Sequence, residues 1–326
     1  MSVPGPAPMT SGSTAYVLGH GGGGAAQVVH AAAILALPTV AMLIAAWQTL
    51  NGTVQLWQPL LAIALYVLTM TGITVGFHRL LAHRAFQAQS AVLNILVVLG
   101  CMAAQGPPIY WVSNHRRHHQ FGDAVGDPHS PNYHDDHHLR GWAGFWHAHI
   151  GWTFTHALTN PVYFCKDLLR NRSISRINRQ YYVWVLLGLA VPTAVGGLIE
   201  GSINGALNGL LWGGGVRLFI SYHLTNSINS ITHMFGYRSF NTSECSRNNL
   251  FLGLPTLGEA WHNNHHAFPS SAIFGYTWWE LDIGGVVIFG LERLGLAWNV
   301  RRPDAQMIAE KCRLATRSNS DEVGAP

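Results

Sequence analysis

An all-α integral membrane protein is the fold class this sequence predicts, with four transmembrane helices and a cytoplasmic helical cap rich in histidine. Three observations carry that reading. Asp, Glu, Lys and Arg make up only 10% of the 326 residues, against about 25% in a typical soluble domain. Four apolar stretches approach the ~20 residues needed to cross hydrocarbon. Nineteen histidines outnumber the fifteen Asp and Glu, which points to metal chemistry before any motif is considered.

Taken in order, residues 1–28 are rich in Gly, Pro, Ser and Ala, carry no charged side chain and predict a flexible N-terminal tail. They lack the basic start of a signal peptide, and HGGGG at 20–24 reads as a linker. The first two spans are 29–48 and 56–77, joined by an uncharged connector. An apolar run at 88–106 ends in Gln105-Gly106-Pro107-Pro108 and predicts a partly embedded helix. The third and fourth spans, 181–199 and 206–227, flank a connector whose only charge is Glu200. Residues 29–302 form one membrane domain with its cap, and 303–326 a C-terminal tail.

Nearly all Lys and Arg fall in 79–179 and after 238, so the positive-inside rule puts those segments and both termini in the cytoplasm. The pI of about 9.0 is explained by that orientation, with no nucleic-acid partner. Arg217 sits within the fourth span and needs a polar partner or cavity; snorkelling to an interface is the other reading. Cys101, Cys165, Cys245 and Cys312 are scattered without a CxxC pair, which excludes a thiolate metal site and suits packing residues in a reducing compartment.

The histidines fall into boxes. His78 and His83 follow the second span, while His115, His118 and His119 lie in VSNHRRHHQF. His262, His265 and His266 repeat that spacing in EAWHNNHHAF. On an α-helix the i, i+3, i+4 pattern shares a face, so each trio can aim at one centre. His78 and His83, five apart, diverge by about 140° on an α-helix, unless the helix ends there or they serve different metals. His134, His137 and His138 copy the trio spacing in SPNYHDDHHLRG, but Pro, Asn and Asp around them predict a solvated loop. His129 and His149 are candidates to support the site from behind the ligands. His20, His30, His147, His156 and His223 read as packed or interfacial.

In combination, HRLLAH at 78–83, HRRHH at 115–119 followed by Asp127-Pro128-His129, and GEAWHNNHH ending at His266 resemble the membrane-bound fatty-acyl desaturase family, in wording closer to its bacterial members. NSINSITHMFGYR, ending at Arg238, resembles the stretch before the last box in acyl-CoA Δ9 desaturases. The resemblance covers roughly 57–302. It implies a dimetal site of two iron ions held by nine ligands, His78, His83, His115, His118, His119, His233, His262, His265 and His266, with Asn229 acting through a water. It also implies that 88–106 does not cross the bilayer, because the first two boxes share one site.

The implied reaction takes a saturated acyl chain, O2 as co-substrate and two electrons to a cis double bond, of Δ9 type. Alternatives on the same scaffold are an acetylenase or a hydroxylase; a different class is a non-enzymatic membrane metal carrier or sensor, whose ligands would line a path across the bilayer. Trp111, Trp152, Thr225 and Trp261 are candidate tunnel-lining residues. The chain shows no iron–sulfur, dinucleotide or cytochrome b5 motif, so a ferredoxin or cytochrome b5 with its reductase is the implied electron donor. Arg116, Arg117 and Arg140 offer it a basic docking face. Ser113-Asn114 replaces an Arg-Asp common in acyl-CoA members, and HHAFPSSAIFGYTWWELD after the last box lacks the Arg that bacterial relatives carry there in SARHG. CoA, acyl-carrier protein and membrane lipid therefore all stay open as acyl carriers. The expected location is a bacterial inner membrane.

Overall fold

In the computed structural model, which describes residues 15–18 and 24–313, the chain is mostly helical. Three helices are long and apolar enough to cross a membrane: Gln27–Leu50, Trp57–Ala82 and Tyr181–Glu200. The first begins at Ala25, four residues before the predicted span. Its outward face is bare leucine and valine, including Leu37 and Leu43, as a lipid-facing surface requires.

The second helix changes type before the end of the predicted span. Trp57–Thr71 is α-helical, and Gly72–Ala82 continues it as a π-helix with every residue buried. The apolar run that follows forms Ser90–Met102; 13 residues rise only about 20 Å, well short of a ~30 Å core. It lies against the π segment with backbones in contact. A Cβ built on Gly72 would stand 2.1 Å from the Gly100 nitrogen, so only glycine permits this approach.

The Tyr181–Glu200 helix turns back through Gly201 (φ +62°) into Ile203–Gly209. The fourth predicted span is helical from Ile203 to Met234, through a π turn at Leu210–Val216. It is not among the three apolar crossers, because it carries Arg217 and a run of Ser, Asn and His.

Arg217 does not snorkel. It is buried, with Nε donating to the Gly213 carbonyl (2.7 Å), Nη1 to the Met102 carbonyl (2.8 Å) and Thr69 Oγ1 (3.3 Å), and Nη2 to the Gly188 carbonyl (3.1 Å). Two of these acceptors are groups that helices leave unpaired. Met102 ends its helix, and the residue four after Gly188 is Pro192, which has no N–H to give.

Short helices between 141 and 179 and the loops after 234 build the cap. A two-residue strand pair, Gln87–Ala88 with Ala297–Trp298, ties its beginning to its end. Both predicted tails are partly structured. Val17 bridges to Thr159 and Tyr16 packs edge-on against Phe121 and Tyr163. Residues 305–313 are helical, with Ile308 and Cys312 against Phe240 and Phe268. The other predicted tail residues, including most of HGGGG and all of 314–326, lie outside the described residues. Cys101 and Cys165 are buried packing residues, whereas Cys245 is exposed.

Candidate metal centre

The π segment resolves the His78 and His83 pair. An i→i+5 ladder brings residue i+5 back over the same side of the helix as residue i, and the His83 N–H donates to the His78 carbonyl at 3.1 Å. Their rings stand 4.9 Å apart and face the same centre. The Pro108–Phe121 helix starts with Pro at its first turn, where a missing N–H costs nothing, and delivers His115, His118 and His119. His233 comes from the last turn of Arg217–Met234, and the short helix His262–Ala267 supplies the last trio.

These nine imidazoles meet Nε2 to Nε2. His78 and His265 are 3.1 Å apart, His83 and His115 2.7 Å, and His119 and His265 2.9 Å. His233 and His262 are 2.9 Å apart, His262 and His266 3.1 Å, and His118 and His266 3.4 Å. They form two metal-capable groups: His78, His83, His115, His119 and His265; and His118, His233, His262 and His266. His78 and His83 thus share one group.

Carboxylates hold the rings from behind. Asp127 faces His118 Nδ1 at 2.8 Å, Asp123 faces His233 Nδ1 at 2.8 Å, and Glu244 faces His266 Nδ1 at 3.6 Å. Glu259 is bonded to His78 Nδ1. Such partners keep the ring proton on Nδ1 and leave the Nε2 lone pair bare. Facing bare lone pairs at these distances repel, which is tolerable with a cation between them.

Burial pushes His115, His119, His262, His265 and His266 well below the usual imidazole value, and neighbouring rings push the same way. Burial alone would raise Asp123, but His233 beside it outweighs that and holds it low. Asp127 is lowered likewise by His118, and Glu259 by His78 and Arg79. Asp123, Asp127 and Glu259 therefore stay ionised although buried.

Residues around the ligands meet the sequence expectations unevenly. His129 stacks near His118, 4.5 Å between rings, with Nδ1 3.8 Å from Asp127, and burial pushes it down to about 3. His149 enters neither group and bonds Ser230 and His223. The HDDHH segment is an exposed hairpin, Tyr133–His134 with His137–His138, and enters neither group. Asp123, Glu244 and Glu259 were missed by a reading centred on histidine. Glu259, three residues before His262, had a positional signal; Glu244 had none.

Two cavities meet at the histidines. One of about 370 Å³ is lined by Trp111, His115, Trp152, Thr225 and Asn229 and runs out to His30 and Tyr182. The other, about 40 Å³, lies against His78, His115, His118 and His262 and shares Trp111, Thr225 and Asn229. Three of the four candidate tunnel residues line this space. Trp261 does not: it is buried against Trp279 and Gly253, its indole N–H donating to the Leu281 carbonyl at 2.9 Å.

The basic docking face is also smaller than expected. Arg117 is buried and donates to the Gly126 and Ala157 carbonyls, and Arg116 is spent on Asp167 and the Leu81, Ala82 and Phe164 carbonyls. Both build the cap, leaving Arg140 exposed.

Residues 55–283 match the sequence profile of the fatty acid desaturase family. The chain is 46% identical to a hex-5-enoyl-[acyl-carrier protein] acetylenase of Moorena producens (strain JHB), across 78% of this chain and 82% of that protein. It is 38% identical to Delta-9 acyl-lipid desaturase 1 of Arabidopsis thaliana, across 75% and 76%. It is 37% identical to an sn-1 stearoyl-lipid 9-desaturase of Anabaena variabilis, across 74% and 84%.

Proposed function

The chain belongs to the fatty acid desaturase family, and on that premise we propose that its nine converging histidines hold two iron ions beside a bound acyl chain. His78, His83, His115, His119 and His265 form one ligand set. His118, His233, His262 and His266 form the other, completed by a water on Asn229, which lines the cavity beside His118 and His262.

The donor set fits such a pair. An ion holding imidazole nitrogens at about 2.0–2.1 Å spaces adjacent ligand nitrogens by about 2.9–3.4 Å, close to the Nε2 separations of 2.7 to 3.4 Å. Asp123, Asp127, Glu244 and Glu259 supply the negative charge that neutral imidazoles lack. Iron in this setting supplies the oxygen activation that an unactivated C–H bond demands and side-chain acids and bases do not.

The protein's part is placement. The 370 Å³ cavity takes the acyl chain past Trp111 to the histidine face, and the apolar surround keeps water from competing. The balance is one acyl CH2–CH2, O2, two electrons and two protons giving CH=CH and two waters. The electrons come from a ferredoxin or cytochrome b5 type donor. With Ile203–Met234 read as a fourth span, the cap and both termini lie on the cytoplasmic side of a bacterial inner membrane, a reading supported by the clustering of Lys and Arg in 79–179 and after 238.

The observation that carries this reading is the convergence of nine Nε2 atoms where two cavities join. Its test is reconstitution with iron, a reductase chain and acyl groups on CoA, carrier protein and lipid in turn. Desaturation shows as the loss of two hydrogens by mass spectrometry, and a gain of oxygen would instead mean hydroxylation. A second reading, conversion of an alkene to an alkyne, is favoured by the 46% identity to an acetylenase, so enoyl substrates belong in the same assay.

A further inference from the structure

Electrons must reach the histidines from outside, and only part of the metal centre lies near the surface. Of the nine ligands, His78, His118, His233, His262 and His265 are buried, while His83, His115, His119 and His266 are half-buried. His115 lines the acyl cavity, and the His266 side chain is only 4% exposed. That leaves His83 and His119, whose rings stand 4.6 Å apart, as the edge of the centre nearest to water.

Three cations from separate parts of the chain flank this edge. Arg84 follows His83 directly, and its side chain is 62% exposed. Arg301 is exposed, and its backbone is held between the first box and the chain that leaves the last one. Its N–H donates to the Ala85 carbonyl (2.9 Å), and its carbonyl accepts from the Ala272 N–H (2.8 Å). Lys311, also exposed, donates to the carbonyl of Ala267, the residue after His266, and lies 4.6 Å from the centre of the Phe268 ring. His266 in turn stacks on His119, 4.4 Å between rings.

Among the described residues, the acidic groups here do not cancel this charge. Asp167 is shared by Arg84 and Arg116, which leaves that trio one positive charge. Glu310 precedes Lys311 in the helical segment 305–313 and so points about 100° round its axis. Asp304 is turned to the Met307 N–H at the start of the same segment.

We propose that the His83–His119 edge, with Arg84, Arg301 and Lys311 around it, is the docking site of a small acidic protein that carries one electron at a time. The inference rests on the desaturase reading, whose balance calls for two electrons, so the carrier docks twice per turnover and leaves oxidised each time. Opposite charge steers such an encounter and fixes its orientation, which brings the carrier's redox group to the ligand edge. The acyl cavity runs out elsewhere, at His30 and Tyr182, so carrier and substrate do not compete.

The test measures binding of a plant-type [2Fe–2S] ferredoxin and of a soluble cytochrome b5 domain, each separately, to the full chain in detergent. The carrier that binds identifies the donor, and its binding should weaken as salt rises. Arg301→Glu and Lys311→Glu should each weaken it about 10-fold, and Arg301→Gln by less. In turnover assays the two charge reversals should raise KM for the carrier by a similar factor, with KM for the acyl substrate and iron content unchanged. Salt-independent binding, a loss confined to Arg140→Glu, or no binding of either carrier would overturn the site. Carrier binding needs no turnover, so failure of every acyl chain to lose hydrogen would end the desaturase reading and still leave the binding series to decide the docking site.

Discussion

Replacing Arg217 by Met tests the idea that a buried cation serves here as a helix cap. The guanidinium ties the Gly188 and Met102 carbonyls, neither of which its own helix can satisfy. An orphaned buried carbonyl costs about 1–3 kcal/mol, so two cost about 2–6 kcal/mol. Removing the buried charge returns part of its desolvation penalty, leaving a net loss of about 2–4 kcal/mol. The signature lies in the partner. Pro192→Ala returns an N–H that can reach the Gly188 carbonyl, so in the Arg217→Met background it should recover about 1–2 kcal/mol. In the parent chain that carbonyl is already paired, and the same change should be near neutral. Reversible unfolding of the four proteins in mixed detergent and SDS gives the coupling directly. An Arg217→Met loss below about 1 kcal/mol, or an equal effect of Pro192→Ala in both backgrounds, would refute the capping argument.

Other consequences can be checked with less effort. His265→Ala and His233→Ala should each abolish turnover and lower iron content by elemental analysis, whereas His137→Ala, on the exposed hairpin, should change neither. Asp127→Asn keeps the shape behind His118 but removes the charge, so metal affinity measured by chelator competition should fall about 10- to 100-fold. His119, His262, His265 and His266 titrate well below the ordinary 6.5 when folded, so the unfolded chain binds more protons below that value. Stability and metal retention should hold above about pH 7 and fall as pH drops through 6.5; a retention curve flat to pH 5 would contradict the neutral-ligand assignment.

How far the sequence could be read depended on whether a property was local. Apolar length revealed the three helices long enough to cross a membrane, though a fourth was expected, and the shared i, i+3, i+4 spacing revealed both trios, because each is carried by neighbours along one helix. Flanking Pro, Asn and Asp identified HDDHH as a loop on the same principle. The relation between His78 and His83 was readable only as alternatives: nothing in GFHRLLAH announces a π ladder, but the helix does end at Ala82, one condition under which the two were expected not to diverge. Arg217 was recognised as needing a partner, yet its acceptors lie 29 and 115 residues away. Trp261, expected in the tunnel, lies just before the short helix rather than on it, and its indole packs against Trp279 instead. Arg116 and Arg117 looked like surface charge because sequence does not show the carbonyls that consume them.

The π ladder from Gly72 to Ala82 also makes length the guarded property of this segment. Deleting one residue between 78 and 83 would let the helix relax to the α form with His78 and His83 four apart, still able to share a centre. The histidines would survive, but everything before them would rotate by about 100°. Gly72 would leave Gly100, and the buried residues of Trp57–Thr71 would swing about a quarter-turn away from their neighbours. Substitutions here can be absorbed one side chain at a time, whereas a single gap re-indexes an entire membrane crossing.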